Sequence, residues 1–180
     1  MENPEVPLES VHEDIHHHAA HSGESWTLGV ALSTAFIAGF AAVASLAAGH
    51  HANEAMLDQM KASDQWAYYQ SKSIKAGVLR AKDALLDSLG KPHPEDDAKK
   101  LEEYEGDQDK IKETAEEHQK SSQLHLLRHT TYARAVTMFQ VAIAVAAIAV
   151  LTKRKWFWFA GMLFGLIGLF FMVQAAFFVK

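Results

Sequence analysis

Three apolar runs, set around one long charged segment, restrict what this chain can fold into more than any other feature. Leu28–Ala48 holds no charged residue. Ala135–Leu151 has Gln140 as its one strongly polar side chain, and Trp156–Val179 has Gln174. A helix that crosses hydrocarbon needs about 20 mostly apolar residues, within a range of about 17–25. The first and third runs meet that length and the second sits at its short end. The expected fold is an all-α membrane protein, with three transmembrane helices and a long antiparallel, coiled-coil-like helical hairpin between the first and second.

Charge follows the same division. Residues 50–134 carry 13 Lys/Arg against 16 Asp/Glu, and the first 25 residues hold six acids and no Lys or Arg. No basic patch exists for nucleic acid, so DNA and RNA are not expected partners. The chain has no cysteine, which removes disulfides, thiolate metal sites and cysteine nucleophiles together. An acidic leader is unlike a cleavable signal peptide, so the first apolar run is expected to stay in the mature protein.

The expected organisation has five parts. Residues 1–25 form an acidic, His-rich leader with little to bury, for which disorder is the default. Residues 26–49 make the first span, opened by a Ser25 or Thr27 cap and an interfacial Trp26. Residues 50–134 form the soluble hairpin with its turn at 90–94. Residues 135–151 and 156–179 are the second and third spans. No breaker lies between Ala48 and Leu89, so one helix is expected from about Trp26 to Leu89. Gly90-Lys91-Pro92-His93-Pro94 should end it, with Pro94 as the first residue of the next helix and Glu95, Asp96 and Asp97 complementing its dipole.

Two stripes are expected to form the hairpin seam. On the first helix they are Met60, Ala67, Ile74 and Ala81, joined by Leu57, Val78 and Leu85. On the second they are Leu101, Tyr104, Gln108, Ile111, Ala115 and His118. Polar Asp64, Ser71, Gln108 and His118 thin this core, so partner chains are expected to share in burying it.

Small residues recur in the spans: Ala31, Ala35 and Gly39 every four residues, Ala135, Ala142 and Ala149 every seven, and Gly161 with Gly165. In lipid, close approach through small residues is the main route to tight helix packing. These positions serve a homo-oligomer interface or packing within one protomer. Trp66 and Tyr69 share a helix face and suit a subunit contact better than a ligand box. Gln140 and Gln174 are the candidate polar lining of any wet path, with interhelical hydrogen bonding as the alternative. His12, His16, His17 and His21 have spacings that would let a helical leader hold a divalent metal; a solvated, disordered leader that binds metal weakly and without consequence is the simpler reading.

The segment AGHHANEAMLDQMKASDQWAYYQSKSIK (Ala48–Lys75), with the junction Val150-Leu151-Thr152-Lys153-Arg154-Lys155-Trp156, resembles the bacterial domain-of-unknown-function family 4337. The resemblance runs from about residue 24 to the C-terminus. It implies a bacterial inner-membrane protein with three spans and a helical hairpin, and it brings no activity, substrate or catalytic residue.

No GxSxG, HExxH or phosphate-binding glycine loop occurs, and the apolar runs hold no ionisable side chain. No enzyme activity and no cofactor are therefore expected. The function read from the sequence is a structural or scaffolding membrane protein, in contact with lipid, that self-assembles and offers its hairpin to a protein partner. The alternative is a small oligomeric channel or motor-type subunit, an analogy of layout only. Lys153, Arg154 and Lys155 on the shortest loop point to a cytoplasmic loop and an extracytoplasmic hairpin.

Overall fold

A computed structural model describes residues 25–179. The leader, with His12, His16, His17 and His21, lies outside the described residues. Among those described, all regular structure is helical and no strand occurs. Helix α1 spans Ser25–Ser88, α2 spans Glu95–Thr152 and α3 spans Lys155–Phe177. All three are long and apolar enough to cross a membrane.

Helix α1 continues through Gly39, Gly49 and Gly77 without interruption, and nothing breaks it between His50 and Met60. Its end is built by Gly90 at φ +61. Gly90 N–H donates to Asp87 O at 3.1 Å and Lys91 N–H to Leu86 O at 3.0 Å. This is the glycine-based termination in which a left-handed residue turns two amides back onto orphan carbonyls. Pro94 stands one residue before α2 rather than opening it, and its carbonyl accepts the Asp97 N–H at 3.1 Å. Helix α2 ends the same way but without a glycine. Lys153 takes φ +52, and Arg154 N–H reaches back to Ala149 O at 3.2 Å.

The chain divides into two compact units. One holds the described residues up to Ala52 and those from Leu126 onward; the other is Asn53–His125. In the first unit the seven-residue alanine stripe of α2 is the buried face: Ala135, Ala142 and Ala149 are inside, with Ala146 beside them. Phe139 fills the space between them and stacks on Phe40 with centroids 6.2 Å apart. Helix α3 meets this face through Gly161 and Gly168, and meets Ile37 of α1 through Gly165.

In the second unit the α2 stripe lies inward as its spacing indicates, with Ile111 and Ala115 buried and Leu101, Tyr104, Gln108 and His118 half-buried. The α1 stripe does not. Met60, Ile74, Val78 and Leu85 are 59–67% exposed. The inward face is instead Ala55, Asp58, Ala62, Lys72 and Ala76, all buried. Ala55, Ala62 and Ala76 thus stand at the seam, where larger side chains were expected. Hydropathy picked out the larger residues, which lie on the opposite face.

Candidate functional site

Among the described residues, the features that bear on function are two packing seams. In the 53–125 unit the seam is polar and paired. Asp58 accepts the Ser121 hydroxyl at 2.6 Å, and Ser122 donates to Ala55 O at 2.7 Å. Lys72 donates to Asp107 at 2.7 Å. Lys82 pairs with Asp97 and Arg80 with Glu105. As the residue number rises along α1, that of its partner on α2 falls.

The buried charges of Asp58, Lys72 and Asp97 each have a partner, as burial requires. The Asp107 carboxylate holds the Lys72 ammonium above the usual lysine range, and Lys72 in turn holds Asp107 below the usual carboxylate range. The Lys72 ammonium also lies 5.6 Å from the Tyr68 ring centre and 4.9 Å from that of Tyr104. Asp58 is held low chiefly by the Ser121 hydroxyl, with Lys61 and His118 adding to it against the opposing effect of burial.

In the other unit the seam is made of small residues. A Cβ at Gly161 would sit 3.0 Å from Ala142 O, one at Gly165 3.1 Å from Ile37 Cδ1, and one at Gly168 2.7 Å from the Phe139 ring. These glycines face neighbours within the chain. Ala31 is buried and Ala35 half-buried. Gly39 is exposed with nothing within 4 Å of where its Cβ would be. Trp158 Nε1 donates to Ser33 Oγ at 3.1 Å. Beside this seam an apolar groove of about 200 Å³ is lined by Phe36, Phe40, Phe139, Met162 and Leu169.

The remaining candidates are scattered. Gln140 is half-buried. Gln174 lines a shallow groove with Phe170, Val173 and Phe178. Trp66 and Tyr69 are half-buried and meet edge to face, centroids 5.7 Å apart. Among the described residues no group of three or more His, Cys, Asp or Glu is placed to hold a metal.

The paired residues Asp58, Lys72, Asp107, Ser121 and Ser122 were not picked out as candidates from the sequence, nor was Gly168. Ala55, Ala62 and Ala76 were legible as a seven-residue series with one place taken by Tyr69, and Asp58, Gln65 and Lys72 as its companion. Gly168 stands seven residues from Gly161, the same signal that marks the alanine stripe.

An all-helical chain with three apolar helices, glycine and alanine seams and a paired polar seam is thus defined. The family model described as Domain of unknown function (DUF4337) matches residues 26–178, and the chain belongs to this family. No curated protein and no solved structure matches it.

Proposed function

We propose that the chain is a multi-pass protein of a bacterial inner membrane with a structural, non-catalytic role. Its three apolar helices anchor it, residues 53–125 form an antiparallel helical hairpin in water, and copies assemble into a homo-oligomer that offers the hairpin to a protein partner. One observation carries the reading: the apolar helices turn their large side chains outward. Leu28, Leu32, Phe36 and Leu46 on α1, and Phe159, Leu166 and Phe170 on α3, are all exposed. Of the most apolar stretch of α3 only 17% is buried within the chain. Leaving such a side chain in water forgoes about 1.5–3 kcal/mol each, which hydrocarbon restores.

The charge-free apolar runs support a structural role over ion conduction, because proton and ion pathways in membranes are marked by ionisable groups. The falling order of α2 partners along α1 supports the antiparallel hairpin. Lys153, Arg154 and Lys155 support a cytoplasmic loop and an extracytoplasmic hairpin tip.

Alkaline extraction of membranes tests the anchoring: the chain should stay in the pellet, and its release would overturn the reading. A reporter fused near Pro92 should read extracytoplasmic; a cytoplasmic signal reverses the orientation. Light scattering in mild detergent should give a multiple of the protomer mass, and a monomer at every concentration would remove the assembly.

A further inference from the structure

We infer that the outward stripe of α1 between Leu57 and Leu85 docks against the same stripe of a second copy of this chain, in parallel register. The exposed large apolar side chains of the 53–125 unit lie on α1 or, for Leu89, just past its end, and α2 contributes none. Five of the seven on α1 are in phase, and Met56 and Tyr68 flank them. Leu57, Val78 and Leu85 fall on one seven-residue series, completed by Asp64 and Ser71. Met60, Ala67, Ile74 and Ala81 fall on the companion series three residues on. Two series offset by three and four residues are the pattern that seats one helix on another. The stripe is opposite the face that meets α2, so a partner can cover it without displacing anything.

Charge selects the occupant. Between 95 and 125 α2 carries eleven Asp/Glu against five Lys/Arg, whereas α1 between 53 and 88 carries five of each. Two copies that meet through α1 keep their acidic α2 helices apart, whereas a contact of α2 with α2 would bring them together. Charge also selects the direction. One flank of the stripe holds Lys61, Tyr68, Lys75 and Lys82; the other holds Met56, Ser63, Gln70, Gly77 and Ala84. Parallel pairing sets each flank against the opposite flank of the other copy, so every lysine meets a neutral residue. Antiparallel pairing sets like flanks together and opposes lysine to lysine. Asp64 is the one layer that meets its own copy unfavourably, a cost of the kind that fixes register in paired helices.

This inference deepens the assembly proposed above and rests on it for the existence of a second copy. The chain has no cysteine, so single-cysteine variants of the full chain in nanodiscs report cleanly. Leu57→Cys, Val78→Cys and Leu85→Cys should each form a disulfide-linked dimer on mild oxidation, because a disulfide needs Cα atoms about 4.4–6.8 Å apart. Glu113→Cys, on the outward face of α2, should not. Asp64→Leu should tighten self-association about tenfold or more, and Val78→Glu should weaken it by a similar factor with helix content unchanged. Cross-linking at one of the three stripe positions alone would mean antiparallel pairing and overturn the inference. A persistent oligomer with no stripe cross-link would overturn it while leaving the assembly intact. A monomer throughout would overturn both.

Discussion

At the scale of single residues, His93 shows how a turn between two prolines is held. Its Nε2 lies 2.7 Å from Asp87 and its Nδ1 3.2 Å from Asp83, and both nitrogens carry a proton only in the cationic ring. Asp87 first, and Asp83 next, raise the ring's pKa above its ordinary 6.5. A raised folded-state value stabilises fully below the unfolded value and is lost as pH rises through the folded one. The tip should therefore be tightest below about pH 6.5 and loosen above it. Amide exchange at Gly90 and Lys91, compared between the wild type and His93→Gln, should show this excess protection at low pH only in the wild type. The glycines give a second contrast. At Gly168 a Cβ would press on the Phe139 ring at 2.7 Å, whereas at Gly77 it meets nothing within 4 Å. Gly168→Ala should cost about 1–3 kcal/mol through overpacking, and Gly77→Ala should gain about 0.5–1 kcal/mol in an exposed helix interior. Denaturation midpoints in one detergent check both.

At the scale of elements, the ends of α1 and α2 solve one problem with different residues. Both place a left-handed residue just past the helix, Gly90 in one case and Lys153 at φ +52 in the other. A non-glycine residue pays about 1–2 kcal/mol in that conformation. Lys153→Gly should therefore raise stability by about 1 kcal/mol, while removing one of three adjacent cations that bias orientation; thermal unfolding and a reporter fusion near Pro92 separate the two effects. Proline at Ala67, which is exposed, should destabilise α1 by about 3 kcal/mol or more through the backbone alone, measurable as lost helix content or a lowered midpoint. Element lengths and stops were legible in the sequence because breakers act locally: nothing interrupts 25–88, and Gly90 with Pro92 and Pro94 ends it. The alanine face of α2 was legible for the same reason, since Ala135, Ala142 and Ala149 share one period. The α1 seam was misread because two seven-residue stripes lie on opposite faces of one helix. Sequence alone does not say which of them meets α2, and the larger residues of the outward stripe drew attention from Ala55, Ala62 and Ala76. The pairs Asp58–Ser121 and Lys72–Asp107 join residues 63 and 35 apart in sequence. Only the fold reveals such long-range partners.

At the scale of the whole molecule, the proposed assembly and the protomer's own packing make different demands on the same residue type. Gly161, Gly165 and Gly168 are consumed within the chain, where a Cβ would strike a backbone oxygen, an isoleucine and a phenylalanine ring. Gly39 is not, since no described residue outside its own turn lies within 4 Å of where its Cβ would be. A bulky side chain at the first three positions must disturb the protomer before it can report on association. At Gly39 its Cβ meets no described neighbour within 4 Å. Gly39→Leu should therefore leave helix content and unfolding unchanged, yet lower the mass seen by light scattering if another copy's helix approaches this face closely. The α1 stripe lies in the other compact unit, so its contribution is separable. Val78→Glu and Gly39→Leu alone should each weaken assembly partially, because the remaining contact still tethers the copies at high effective concentration. Together they should yield monomer. An unchanged mass for Gly39→Leu, with the stripe variants still active, would confine self-association to the 53–125 unit and leave Gly39 facing lipid.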